Sequence, residues 1–213
     1  MFTSSKTEPL FDSPSITNTM QDFFFYTRLG LQHVLDINAY DHILFLCALA
    51  IPFTFKNWRP VLLLATIFTF THCLALSLAV YNVLVMDVGL IEFLIPLTIV
   101  LTALFNIIYQ KSPEGKKNIV LHAIATAFFG FIHGFGFSNY FSMLIAGQDE
   151  KLAPLVGFAT GIEISQILIV LCVLVVAYVL QSVLKVIQPL IVIVASILVI
   201  LLTIPVLIET FPS

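Results

Sequence analysis

Long apolar runs, separated by short polar segments, follow one another along most of the chain. Six of these runs approach or exceed the roughly 20 residues that one helical membrane crossing needs. They cover residues 40–55, 61–85, 88–109, 119–146, 154–180 and 189–209. The pattern predicts an all-α fold, a polytopic bundle of six transmembrane helices.

The N-terminal part of the chain departs from this pattern. Residues 1–21 are rich in Ser, Thr and Pro and lack the apolar core of a secretory signal peptide. We therefore expect a flexible tail, followed by one bundle domain over residues 22–213. The stretch 22–37 mixes charged and apolar side chains, and it is predicted to lie at the interface, to re-enter the membrane, or to form a seventh span. The run 40–55 is short and is expected to begin earlier, within this stretch.

Composition agrees with a membrane protein. Hydrophobic residues make up 60% of the 213 residues and charged residues only 10%, whereas a soluble domain has about 25% charged residues. The net charge of −3 gives no basic surface for nucleic acid, so lipid is the expected surroundings. Cys47, Cys73 and Cys172 are widely spaced in apolar runs, which indicates neither a disulfide framework nor a thiolate metal site.

The distribution of lysine and arginine predicts the orientation of the bundle. Six basic residues lie in the loops after the first, third and fifth runs, against three on the opposite side, and the positive-inside rule places the larger set in the cytoplasm. The six are Lys56, Arg59, Lys111, Lys116, Lys117 and Lys185. We expect an integral protein of a bacterial cytoplasmic (inner) membrane with both termini external.

Ionisable residues in the apolar runs, or just before the first of them, converge on the outer half of this bundle. Such residues are costly in lipid and commonly mark functional sites. They are His33, Asp36, Asp41, His42, His72, Glu92, His133 and Glu163, and only His122 lies near the cytoplasmic end. Any single histidine could simply hydrogen-bond a neighbouring helix, but this many at one depth indicate a shared site.

The residue types in this set indicate metal binding. Imidazole and carboxylate are the ligands of Zn, Ni, Co, Mn and Fe, and no thiolate or methionine cluster suggests Cu(I). We expect His42, His72, His133 and Glu163 to approach one centre. Gly130 and Gly134 flank the last histidine at the spacing that permits close helix approach.

Several short motifs resemble those of the HupE/UreJ family of membrane proteins. They are residues 29–35 (LGLQHVL), 41–46 (DHILFL), 70–72 (FTH), 130–137 (GFIHGFGF) and 161–166 (GIEISQ). Members of that family are associated with hydrogenase and urease gene clusters and are regarded as nickel or cobalt permeases. The resemblance implies a divalent metal ion, Ni, Co or Zn, held by His33, Asp41, His42, His72, His133 and Glu163.

Two functions fit these observations. The first is a permease that takes up the divalent ion from the outer side. The alternative is a metal-dependent intramembrane hydrolase for a lipid or lipid-linked substrate, with Glu163 or Asp41 as general base. The inner half of the bundle offers only His122 and Asn106 for an exit path, and this asymmetry favours the alternative. A third reading is an accessory subunit whose polar residues only join helices. Metal identity and homo-oligomerisation stay open.

Overall fold

The apolar runs form helices in the computed structural model, which describes residues 16–109, 119–148 and 150–212, and these described residues contain no strand. The helices are α1 (Ile16–Leu35), α2 (Asp41–Ala50), α3 (Trp58–Val80), α4 (Val88–Tyr109), α5 (Ile119–Leu144), α6 (Leu152–Ser182) and α7 (Gln188–Glu209). Helices α3 to α7 are each long and apolar enough to cross a membrane. The predicted all-α membrane bundle is confirmed.

The last five predicted runs agree with α3 to α7 within a few residues at most ends. The largest difference is at the end of α3, which stops at Val80 instead of continuing to residue 85. Asn82 has a left-handed backbone, with φ of 54°, and a right-handed helix cannot continue through that conformation. The chain turns there and enters α4.

The first predicted run, residues 40–55, does not cross the membrane by itself. Its helix, α2, has ten residues and ends at Ala50, so it is about 15 Å long, half the thickness of a hydrocarbon core. Pro52 explains the early end. Proline has no N–H for a helical hydrogen bond, and its ring clashes with the carbonyl of the residue four positions before it.

Helix α1 begins at Ile16, so residues 16–21 belong to a helix rather than to the predicted tail; residues 1–15 lie outside the described residues. Its partner is α6, and the two backbones touch at glycines. A Cβ on Gly157 would lie 2.7 Å from the Phe23 carbonyl oxygen, and one on Gly161 would lie 2.1 Å from that of Thr27. Residue numbers rise together along both helices, which are therefore parallel.

Together α1 and α2 make one interrupted crossing. Helix α2 continues in the direction of α1, and the Ile51 carbonyl just after it accepts a hydrogen bond of 3.1 Å from Gln188 at the start of α7. The interruption lies at residues 36–40. There Asp36 Oδ1 accepts bonds from the Asn38 backbone N–H at 2.9 Å and from its side chain at 3.1 Å, which competes with helical bonding. The stretch 22–37 is thus half of a crossing rather than a seventh span.

The predicted orientation gives the bundle an external and an internal end. The predicted external end carries the α3–α4 and α5–α6 loops, which are joined by a 3.3 Å hydrogen bond from Lys151 Nζ to the Val80 carbonyl. Phe211, after α7, packs there on Phe93 of α4 with ring centroids 5.5 Å apart. The predicted internal end carries the α2–α3 and α6–α7 loops.

Close contact between α3 and α5 confirms the role expected for two glycines. A Cβ on Gly134 would lie 2.2 Å from the His72 carbonyl oxygen, and one on Gly130 would lie 2.7 Å from that of Phe68. Only glycine permits backbones to approach this closely. The contact places His72 and His133 side by side on two parallel helices.

Candidate metal site

Four of the five histidines meet inside the bundle, each from a different helix. His33 is near the end of α1, His42 is in the first turn of α2, and His72 and His133 lie within α3 and α5. The ring centroid of His42 lies 4.6 Å from that of His33, 5.6 Å from that of His72 and 5.2 Å from that of His133. His42 is therefore the centre of this histidine cluster.

The histidine cluster lies near mid-depth of the bundle. His72 comes eight residues before the end of α3 and His133 eleven before the end of α5, which corresponds to about 12 and 17 Å along the axes. A hydrocarbon core is about 30 Å thick. The exposed fraction is 3% for His42, 0% for His72 and 1% for His133, so protein rather than lipid surrounds these rings.

The cluster contains two overlapping sets of candidate ligands. One set is His33, His42 and His72, the other is Asp41, His42 and His133, and within each set one ligand atom per residue lies within 4.8 Å of the others. Two ligands on opposite sides of a bound ion are about 4.2 Å apart, twice the usual ligand distance. Small side-chain movements would therefore close either set around an ion, and His42 belongs to both.

Ring nitrogens of the cluster lack hydrogen-bond partners in the described structure. They are Nε2 of His33 and His42, Nδ1 of His133 and both ring nitrogens of His72. Buried polar atoms nearly always have a partner, because an unsatisfied one is costly. The lone pair of a neutral imidazole nitrogen is the group that binds a transition metal. This donor set therefore fits a divalent ion.

Asp41 orients the central histidine. Its Oδ1 lies 3.2 Å from His42 Nδ1. An Nδ1–H group donates a hydrogen bond to the carboxylate, and Nε2 then keeps its lone pair. Carboxylates paired with ligating histidines in this way fix the tautomer and raise the basicity of the ring. The carboxylate can also offer an oxygen to the ion directly, as its place in the second set requires.

Thr98 orients His133 in a similar way, a role that was not predicted from the sequence. Its Oγ1 donates to the Ile95 carbonyl at 2.7 Å and lies 3.3 Å from His133 Nε2. Because the hydroxyl donates to the Ile95 carbonyl, its oxygen can accept a hydrogen bond from an Nε2–H group of His133, and Nδ1 then keeps its lone pair. The only signal in the sequence is one hydroxyl two residues after Pro96 in an apolar run.

The structure does not place Glu163 in either set. Its carboxylate accepts hydrogen bonds from Thr66 Oγ1 at 2.6 Å and from Thr69 Oγ1 at 2.5 Å, both on α3. Thr69 precedes His72 by three residues, about 4.5 Å along the helix axis toward the predicted internal end. The structure thus brings the four histidines together around His42, with His72 and His133 in different sets. It does not bring Glu163 into either set, because α6 directs this residue to Thr66 and Thr69.

A pocket of about 210 Å³ lies between Asp41 and the predicted external end, where Thr210 lines it. Its charged lining residues are Asp41 and Glu92, and Ile95, Pro96 and Thr203 form part of the remaining wall. Asp41 thus lies both in this pocket and among the candidate ligands. Glu92, near the start of α4, adds a second carboxylate to this pocket.

A second cavity, of about 260 Å³, lies on the other side of the cluster and includes Asn106 and His122 among its lining residues. Phe45 also lines it, and the Phe45 ring lies 5.5 Å from that of His133 and stacks on Phe68 with centroids 4.8 Å apart. These two phenylalanines separate the cluster from the inner cavity.

Comparison with known proteins gives a family match. The family model described as HupE / UreJ protein matches residues 11–210. The match includes all four clustered histidines, Asp41 and Glu163. Neither a curated protein nor a solved structure matches the chain.

Proposed function

The chain belongs to the HupE/UreJ family, which is associated with nickel and cobalt transport, and from this premise we propose that it is a membrane permease for a divalent transition-metal ion such as Ni²⁺ or Co²⁺. One observation carries the proposal: buried imidazoles with unpartnered ring nitrogens meet at mid-depth of a transmembrane bundle. The family match lends no support to the hydrolase alternative.

The proposed ligands are His33, Asp41, His42, His72 and His133. Nitrogen and oxygen donors without a thiolate suit Ni²⁺, Co²⁺ and Zn²⁺. Transport requires binding that is favourable enough for the ion to enter and weak enough for it to leave, and several adjacent sites serve this better than one deep site. Two overlapping sets that share His42 allow an ion to pass from one set to the other.

The proposed route begins in the pocket of Asp41 and Glu92, where two carboxylates attract a cation and replace part of its hydration shell. The ion then reaches the histidine cluster and leaves through the cavity that contains Asn106 and His122. Phe45 and Phe68 stack on the side of the histidine cluster that faces the inner cavity. In the proposed route, the ion passes inward when these rings move apart.

Metal flux into proteoliposomes tests the proposal. Purified protein is reconstituted around a trapped fluorescent chelator, and Ni²⁺, Co²⁺ or Zn²⁺ is added outside. We expect saturable flux for at least one of the three ions, and flux at the level of empty liposomes for His72→Ala, because both ring nitrogens of this fully buried side chain are free to bind. Stoichiometric binding of all three ions without flux would contradict the permease.

The orientation is tested by cysteine labelling. After replacement of Cys47, Cys73 and Cys172 by alanine, single cysteines are introduced at the exposed positions Asn57, in the α2–α3 connection, and Val83, in the α3–α4 turn. We expect an impermeant thiol reagent outside intact cells to label position 83 and to leave position 57 unlabelled. The reverse pattern would invert the bundle, with both termini then in the cytoplasm.

A further inference from the structure

The surroundings of Glu163 distinguish it from the histidine cluster. Its half-buried carboxylate is near mid-depth and is held by the hydroxyls of Thr66 and Thr69. Among the described residues, no lysine or arginine forms an ion pair with it. An ionised carboxyl group without a cation is costly at this depth, so its charge requires either a proton or a nearby positive ion as compensation.

The two threonines can satisfy Glu163 in either protonation state. Thr66 Oγ1 also lies 3.1 Å from the Leu62 carbonyl oxygen, and Thr69 Oγ1 lies 3.3 Å from that of Ala65. When the carboxyl is ionised, both hydroxyls donate to it. When it is protonated, it donates to one hydroxyl, which then turns its own proton to the backbone carbonyl. Neither state leaves a polar atom of this network without a partner.

Few other groups influence this carboxyl. Cys73, on α3, is the titratable side chain in electrostatic contact with Glu163. Helix α6 also packs against α1, α2 and α7, but the described part of the chain shows no hydrogen bond or ion pair from a side chain of these helices to Glu163. No side chain in the described part of the chain therefore compensates the charge of this carboxylate through an ion pair.

Charge balance connects the two sites. A divalent ion bound to neutral imidazoles and the Asp41 carboxylate leaves one uncompensated positive charge. An ionised Glu163, held by Thr69 three residues before His72, would neutralise it, whereas in the empty site a protonated Glu163 avoids a second buried negative charge. In a medium of low dielectric constant this difference is large.

On the basis of the proposed permease function, we propose that Glu163 is a proton site linked to metal occupancy. When a divalent ion binds the histidine cluster, the Glu163 carboxyl group loses its proton to water, and when the ion leaves, the carboxylate takes up a proton again. By reciprocity, raising the proton concentration weakens metal binding to the same extent. A proton gradient can then drive the ion through the protein.

The proton count on metal binding tests this linkage. Titration calorimetry of purified protein with Ni²⁺, in two buffers of different ionisation enthalpy, gives the number of protons released per ion. We expect wild-type protein to release about one proton more per ion than Glu163→Gln. Because Glu163 lies outside both ligand sets, the variant should still bind Ni²⁺. Equal proton counts for the two proteins would overturn the linkage.

A second variant keeps the test valid if Glu163→Gln does not fold. Thr66→Val with Thr69→Val removes both hydroxyls while preserving side-chain shape, so the ionised carboxylate loses the two donors that stabilise it. We expect the pH range of metal-linked proton release to move upward. The matched control is Thr71→Val, whose hydroxyl donates to the carbonyls of Ile67 and Phe68 and should leave this range unchanged. If the double variant leaves the pH range of metal-linked proton release unchanged, the two hydroxyls do not stabilise the ionised Glu163 carboxylate.

Flux measurements separate this inference from the proposed function. In the proteoliposome assay, an imposed pH gradient should change the rate of wild-type flux and leave that of Glu163→Gln unaffected. Wild-type flux that ignores the gradient would refute the proton site and leave the permease standing. Absence of any wild-type flux would refute the permease, while the calorimetric proton count would still decide whether Glu163 is linked to metal binding.

Discussion

Replacing His42 with alanine is expected to weaken Ni²⁺ and Co²⁺ binding at least about 100-fold. Loss of a residue that merely supports a metal ligand costs about 10–100-fold in affinity, and His42 is a candidate ligand in both sets. Removing it leaves two donors in each set: His33 and His72 in the first, and Asp41 and His133 in the second. Equilibrium dialysis or calorimetry on the purified variant provides the measurement.

Two variants serve as controls for this result. His122→Ala removes a histidine that lines the inner cavity and lies eleven residues before His133 on α5, about 16 Å along the axis; binding should stay at the wild-type level. Asp41→Asn should give an intermediate loss, because it weakens the partner that orients the central imidazole. Wild-type affinity in His42→Ala would show that the ion binds elsewhere.

Introducing a single methyl group at Gly134 is expected to destabilise the bundle and to disturb the metal site together. In Gly134→Ala the new Cβ would lie 2.2 Å from the His72 carbonyl oxygen and 2.8 Å from the Ala75 Cβ, and backbone atoms cannot move aside as a flexible side chain can. Overpacking of this kind costs typically about 1–3 kcal/mol. For a chain of this size, each kcal/mol lowers Tm by roughly 2–4 °C.

The effect on binding follows from the same contact. If α3 and α5 separate, His72 and His133 move apart, and both ligand sets lose their geometry. Gly89→Ala is the matched control, because a Cβ there would meet only the Asp87 side chain, at 3.5 Å. Thermal unfolding in detergent and Ni²⁺ affinity should both decrease in Gly134→Ala and remain unchanged in Gly89→Ala. Equal Tm values for the two variants would contradict the close packing.

The depth of the site in the bundle could be predicted from the sequence. Which neighbouring helix each of its residues faces could not. Each helix advances 1.5 Å per residue, so counting residues from the ends of the apolar runs places His72, His133 and Glu163 at similar depths. Which side of a helix faces which neighbour depends on how the helices pack. Glu163 shows the difference, since α6 directs it to Thr66 and Thr69 instead of the cluster.

The interrupted crossing of α1 and α2 shows a second limit. The short run 40–55 was expected to begin earlier, within residues 22–37, so the break at residues 36–40 was not predicted. The extension of α1 back to Ile16 had no comparable signal, because residues 16–21 are polar. Most helical stability in proteins comes from packing rather than from local propensity, and α1 packs along α6 through Gly157 and Gly161.

The sequence by itself determined that this protein is a helical membrane bundle with candidate metal-binding side chains at similar depth. This information is local. Whether a segment lies in lipid or in water depends on its own composition, and the depth of a residue depends on its distance in sequence from the end of its apolar run. Only the tertiary structure decided that His42 is central, that Thr98 supports His133 and that Glu163 stands apart. These relations depend on the rotation and pairing of helices that are distant in sequence, which no single segment encodes.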